Sequence, residues 1–199
     1  GTKSARLGLI DSKVGISSVT RIFLALAALS NLSLGIVFVL GWMVVRPGDA
    51  TGVPLSVHFL GGLAAVTLTL LVHAVVLTYF MGTGRWIEET TQAYALSIDN
   101  RRENVRLKYR TLPGLVGAIT LLIVTGAFGA AADPGAGLNW PAAGTVHMLL
   151  ACVSLLVNLA VSGLEYQTIQ RNGRLIEQIM DRVRAIRRER GLEEQLPVA

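Results

Sequence analysis

Charge is what this chain has least of. Asp, Glu, Lys and Arg make up 16% of its 199 residues, where water-soluble domains carry about a quarter. The few charges also fall in blocks, separated by long stretches that hold almost none. That excludes an ordinary soluble globule and fits a membrane protein, where a charge in hydrocarbon costs several kcal/mol. Cysteine is nearly absent: Cys152 stands alone, which leaves no disulfide and no cysteine metal site. Histidine is limited to His58, His73 and His147. With one carboxylate (Glu165) in the apolar stretches, zinc or di-iron catalysis lacks its ligand set. There is no His-Glu-x-x-His, Gly-x-Ser-x-Gly, Walker loop or dinucleotide fingerprint. No independent catalytic activity is expected, and no catalytic residue is assigned.

What the chain has in abundance is apolar length. More than half of it is hydrophobic and mean hydropathy is +0.54. About 20 apolar residues cross a bilayer core, and four stretches qualify: 22–45, 55–81, 112–132 and 142–164. The first is too long for a signal peptide. The pI near 9.9 reads as topology once its bases are placed. Lys3, Arg6, Lys13 and Arg21 precede the first span. Arg85, Arg101, Arg102, Arg106, Lys108 and Arg110 lie between spans two and three, and seven arginines follow span four. Only Arg46 falls on the other side, so both termini and the middle connection are expected in the cytoplasm. The expected setting is a bacterial inner membrane, crossed several times, with no nucleic-acid partner.

A stretch that occurs twice organises the rest. Residues 57–88 and 146–177 both open on Val-His and both close on Gly-Arg-x-Ile-Glu (Gly84-Arg85-Trp86-Ile87-Glu88, Gly173-Arg174-Leu175-Ile176-Glu177). The offset is 89 at either end, since 147 − 58 = 173 − 84 = 89. This predicts a tandem duplication in which spans one and three are the less similar arms. The fold expected is all-α: an integral membrane four-helix bundle, N-in and C-in, with helices two and four prolonged into the cytoplasm. Its parts are a cytoplasmic segment 1–21, a first hairpin 22–110 and a second hairpin 111–199. Copies running the same way imply a pseudo-two-fold axis along the membrane normal.

Punctuation predicts the ends. Ser17, Ser18 or Thr20 caps the first helix. Residues 46–49 and 52–54 make an outer turn, and Pro54 starts span two. Span two continues to Ile98, with Asp99-Asn100 as the inner turn and Gly82 or Gly84 as points of bending. Thr111-Leu112-Pro113 then caps and opens span three. Leu175, Ile179, Val183 and Ile186 form the seam of a helical pair or short coiled coil. Beyond Gly191 the tail is expected to be frayed.

At 100° per residue, Gly62, Ala65, Thr69 and His73 share the face of His58. Ala151, Ser154, Asn158, Ser162 and Glu165 share that of His147. Polar groups in a membrane turn inward, so these faces are expected to oppose each other. His58 and His147 then become candidate ligands of a haem b iron, with Gly61, Gly62 and Ala151 giving room to the macrocycle. The alternative is no cofactor, each His bonding a neighbouring helix. His73 and Glu165, with Asn158, Thr69 and Ser162, are a candidate proton relay or interhelical pair. His73 beside Ala74 also admits a chlorophyll-type pigment. Four spans with embedded histidines is similar to the plan of small cytochrome b subunits, an architectural likeness that carries no function by itself. The functions in view are a haem-bearing electron-transfer subunit of a larger complex, a non-redox assembly subunit docking partners or a second copy through its cytoplasmic helices, and a proton- or ion-conducting module.

Overall fold

In the computed structural model the described residues are 18–44, 52–138 and 140–192. They form four long helices and one short turn of 3₁₀ helix: α1 (Ser18–Trp42), α2 (Leu55–Ala93), α3 (Asp99–Ala131), the 3₁₀ turn Pro134–Ala136, and α4 (Ala143–Glu189). All four long helices are long and apolar enough to cross a membrane. At 1.5 Å per residue, α1 is about 37 Å long and just exceeds a bilayer core of about 30 Å. α4, with 47 residues, is nearly twice that length.

The burial pattern is that of a protein facing lipid. Leu29, Leu32, Ile36, Phe59, Leu60, Leu63, Ile123, Leu156 and Leu159 lie on the outside. Ser30, Thr69, His73, Asn158, Glu165, Thr168 and Asn172 lie inside, each 1% exposed or less. In water this arrangement would be upside down. In hydrocarbon it is what backbone and side-chain polar groups require.

α1 packs against α2 and α4, and α3 against α2 and α4, while α2 and α4 touch only slightly across the diagonal. Phe23, Ala27, Val72, Val76, Phe80, Leu107, Leu115 and Ile169 form the main apolar core, toward the arginine-rich end. Beyond it Ile87 of α2 packs with Leu175, Ile179 and Val183 of α4, flanked by Trp86, Tyr94 and Leu96. Three of the four expected seam residues thus pack together, against the prolongation of α2, and Ile186 is not part of that cluster.

Three expected boundaries are corrected. α2 ends at Ala93, not Ile98: Tyr94 caps it and Ala95 adopts φ 51°. Leu96 N–H bonds Thr91 O at 2.9 Å and Ala95 N–H bonds Gln92 O at 3.4 Å, the paired bonds of a Schellman end. α3 then starts at Asp99 rather than at Pro113, which lies inside it. The basic residues 101–110 are thus helical, and α3 shares the extension expected only of helices two and four. Thr111 is no cap: its hydroxyl donates to Leu107 O at 3.0 Å and to Thr168 Oγ1 at 2.9 Å. Proline removes one N–H from the ladder, a loss neighbouring helices make good at a membrane edge. α1 begins at Ser18, with Thr20 buried within it. Ser17, the outer turn 46–49 and the tail 193–199 lie outside the described residues.

An L residue in the left-handed region costs about 1–2 kcal/mol relative to glycine. Ala95→Gly is therefore expected to raise stability by about 1 kcal/mol, visible as a higher thermal midpoint in detergent. An unchanged or lower midpoint would show that Ala95 carries no such strain.

Candidate functional site

The two ends of the molecule are joined by polar contacts running down the inside of α4. At the end away from the arginines, His58 of α2 and His147 of α4 meet across the diagonal. Their ring centres are 6.1 Å apart and their planes cross at 79°. Each imidazole is held the same way. His58 Nδ1 lies 3.2 Å from Val37 O of α1, and His147 Nδ1 lies 2.9 Å from Thr125 O of α3. A backbone carbonyl only accepts, so Nδ1 carries the proton in both rings and Nε2 keeps its lone pair. Neither Nε2 has a hydrogen-bond partner among the described residues.

One turn beyond each carbonyl comes a glycine against the same ring. A Cβ on Gly41 would stand 2.7 Å from His58 Cε1, and one on Gly129 would stand 2.9 Å from His147 Cε1. Any side chain there displaces the imidazole. Neither glycine was singled out for this role from sequence; the signal was there, because 129 − 41 = 125 − 37 = 88. Gly61 and Gly62, expected beside a macrocycle, instead face Val37 and Leu40 of α1. Ala151 is half-buried on α4.

Comparison of the chain with protein-family models, with curated proteins and with solved structures finds no match. Its chemistry has to be read from its own residues.

The second constellation lies further along the same two helices. His73 Nδ1 is 2.8 Å from Glu165 Oε1, and His73 Nε2 is 3.0 Å from Asn158 Oδ1. The amides fix the protons. Asn31 Nδ2 donates to Ala27 O at 2.8 Å and to Ser162 Oγ at 3.1 Å. Its Oδ1 therefore accepts, from Asn158 Nδ2 at 3.0 Å. Asn158 Oδ1 is then an acceptor too, so His73 Nε2 bears a hydrogen. One further proton is shared between His73 Nδ1 and Glu165 Oε1, and the pair is neutral overall wherever that proton sits. His73 and Glu165 are 1% and 0% exposed, and a neutral pair is what such burial tolerates. Among the described residues Glu165 Oε2 has no hydrogen-bond partner.

Further polar ties continue on either side. Ser30 and Thr69 bond at 2.8 Å between α1 and α2, and Thr125 and Ser154 at 2.7 Å between α3 and α4. Toward the arginine-rich end, Asn172 accepts from Asn104 at 2.7 Å and donates to Tyr79 and Thr83 at 3.1 and 3.0 Å. Gly84, expected as a bend, makes room for Asn104, whose Oδ1 would lie 2.8 Å from a Cβ there. Interhelical hydrogen bonds in membranes average about 0.6 kcal/mol, so their number and their definite pairing specify the packing more than any single one stabilises it. Asn104, Asn172, Asn31, Gly41 and Gly129 are the site residues that sequence reasoning did not select.

Proposed function

We propose that the chain is a membrane-embedded four-helix bundle with both termini in the cytoplasm, a subunit of a larger assembly that holds haem b between His58 and His147 for electron transfer. The observation that carries this is the matched presentation of two imidazoles, each locked by a carbonyl at Nδ1 with its Nε2 lone pair left over. Metal-bound histidines are held in this manner, the second nitrogen donating to a carbonyl or carboxylate. The two rings lie close together, their centres 6.1 Å apart. Among the described residues no group of three or more His, Cys, Asp or Glu could hold a metal ion. A bare ion would therefore be left with two protein ligands, whereas a haem would bring nitrogens of its own and would need only His58 and His147 from the protein. When bound, the haem would supply one-electron chemistry; the protein's part is to orient both ligands and keep them neutral.

The repeated carbonyl-and-glycine arrangement also supports a duplicated hairpin. The offset of 88 in α1 and α3 against 89 in α2 and α4 corresponds to one more residue between Gly129 and His147 than between Gly41 and His58. For His73, Asn158 and Glu165 we infer an interhelical pair rather than a conducting path. What supports the pair is the tie itself, 2.8 Å between two helices that otherwise hardly touch; from Asn31 the amide chain divides to Ala27 O and to Ser162 Oγ.

The test is a visible spectrum of the purified full chain titrated with haemin. A Soret band saturating at one haem per chain, with the low-spin signature of two nitrogen ligands, is expected. A chain that shows no band as purified and gains none would leave an assembly subunit docking partners through α2, α3 and α4 as the reading.

A further inference from the structure

At the arginine-rich end a groove of about 500 Å³ opens between α3 and α4, lined by Glu103, Arg106, Leu107, Arg110 and Arg171. Three guanidiniums against one carboxylate leave it a net charge of +2. Arg85, Arg101, Arg102 and Arg184 each have a carboxylate at 2.9–3.3 Å. Arg106 reaches Glu103 only at 3.9 Å, and Arg110 and Arg171 have no carboxylate within 4.0 Å among the described residues. The groove thus gathers positive charge that the protein does not neutralise itself.

Its level is set by the bond between Thr111 and Thr168. Arg110 and Arg171 lie within one turn of that pair, Arg110 two residues before the apolar stretch of span three and Arg171 seven residues after that of span four. Its direction is set by helix geometry. At 100° per residue Arg106, Arg110, Gly117 and Val124 fall within about 40° of one another on α3. Gly117 is exposed and a Cβ on it would meet nothing within 4 Å. The guanidiniums therefore stand at the foot of a smooth apolar track that runs into the span.

We propose that this groove binds the phosphate of an anionic phospholipid, with Arg110 and Arg171 as the main phosphate ligands and an acyl chain along Gly117 and Val124. Guanidinium presents a planar fork that matches phosphate oxygens in pairs, and basic pockets between helices at the cytoplasmic face suit lipid head groups. The shared chemistry is a phosphate anion, which free phosphate also offers. The apolar track favours the lipid. The inference rests on the membrane reading but not on haem.

The full chain is reconstituted in zwitterionic phosphatidylcholine nanodiscs, which tests the membrane reading by itself. Lipid retention is then read by native mass spectrometry in detergent, titrating phosphatidylglycerol, phosphatidylcholine or inorganic phosphate. Phosphatidylglycerol should be retained in preference to phosphatidylcholine. Arg110→Gln with Arg171→Gln should weaken it about thirtyfold, at about fivefold for each arginine near a charged lipid surface. Arg182→Gln with Arg187→Gln, the same change of charge further along α4, should leave retention as it was. The proposal is overturned if the groove variant keeps wild-type retention, if both double variants lose it equally, or if inorganic phosphate displaces the lipid at matched concentration.

Discussion

Replacing Glu165 with alanine is expected to destabilise the protein by about 3–5 kcal/mol, the range for breaking a buried pair by removing one member. The reason lies in the fixed protons. His73 Nε2–H is committed to Asn158, whose own amide is committed to Asn31 and through it to Ala27 O. The imidazole cannot turn to seek a new partner without breaking that chain, so losing Oε1 leaves Nδ1 bare in a site with no water contact. Glu165→Gln should behave quite differently. A glutamine amide N–H donates to the Nδ1 lone pair of the neutral Nε2–H tautomer, so the variant is expected within about 1 kcal/mol of the parent. Thermal unfolding of the two variants in one detergent makes the comparison. Equal losses for alanine and glutamine would mean that the shared proton sits on His73 and that the ion pair, not a hydrogen bond a neutral amide can replace, holds the helices together. Removing both partners with His73→Leu and Glu165→Leu should recover only part of the alanine loss, since an apolar pair of similar volume removes the bare Nδ1 but leaves the buried Asn158 Oδ1 without its donor.

How legible this was depends on which physical rule governed each residue. The spans were plain because nothing but apolar length crosses a bilayer, and all four appear as helices. The inward faces of α2 and α4 were plain for the same reason, since lipid satisfies no polar group. Thr69, His73, Ser154, Asn158, Ser162 and Glu165 are all buried. Helix ends were harder. Gly191 at φ 65° announced the end of α4, because glycine is the usual residue there. Ala95 does the same task for α2 without the signal, so the turn was placed at Asp99-Asn100. Pro113 misled in the other direction: its usual place in a first turn hid an α3 that had already run for three turns and more. The site's hidden half lies on α1 and α3. Their contribution to the histidines is a carbonyl and a glycine, a backbone atom and a missing side chain: the carbonyl leaves no side-chain pattern at all, and the glycines show only as a matched offset of 88 that hydropathy does not register.

That missing side chain makes the sharpest demand on the haem reading. Gly129→Ala is expected to abolish the two-nitrogen haem signature nearly as fully as His147→Ala, although it removes no ligand. The new methyl carbon would stand 2.9 Å from His147 Cε1, closer than real contacts allow, and 3.0 Å from Nδ1, tighter than nearly all of them. The ring must rotate or withdraw, and either motion breaks the bond to Thr125 O that fixes which nitrogen carries the proton. The second arm gives the matched experiment, with Gly41→Ala pressing on His58 at 2.7 Å. Overpacking of this size costs about 1–3 kcal/mol, so both variants should remain folded, as circular dichroism in detergent would verify. Gly117→Ala, which meets nothing within 4 Å, is the control for a glycine-to-alanine change in a span. If Gly41→Ala and Gly129→Ala bind haemin with the parent's spectrum while His58→Ala and His147→Ala do not, the rings have freedom that the carbonyl-and-glycine arrangement denies them. If all four bind it unchanged, the imidazoles are not the ligands, and their opposition serves only to join α2 to α4.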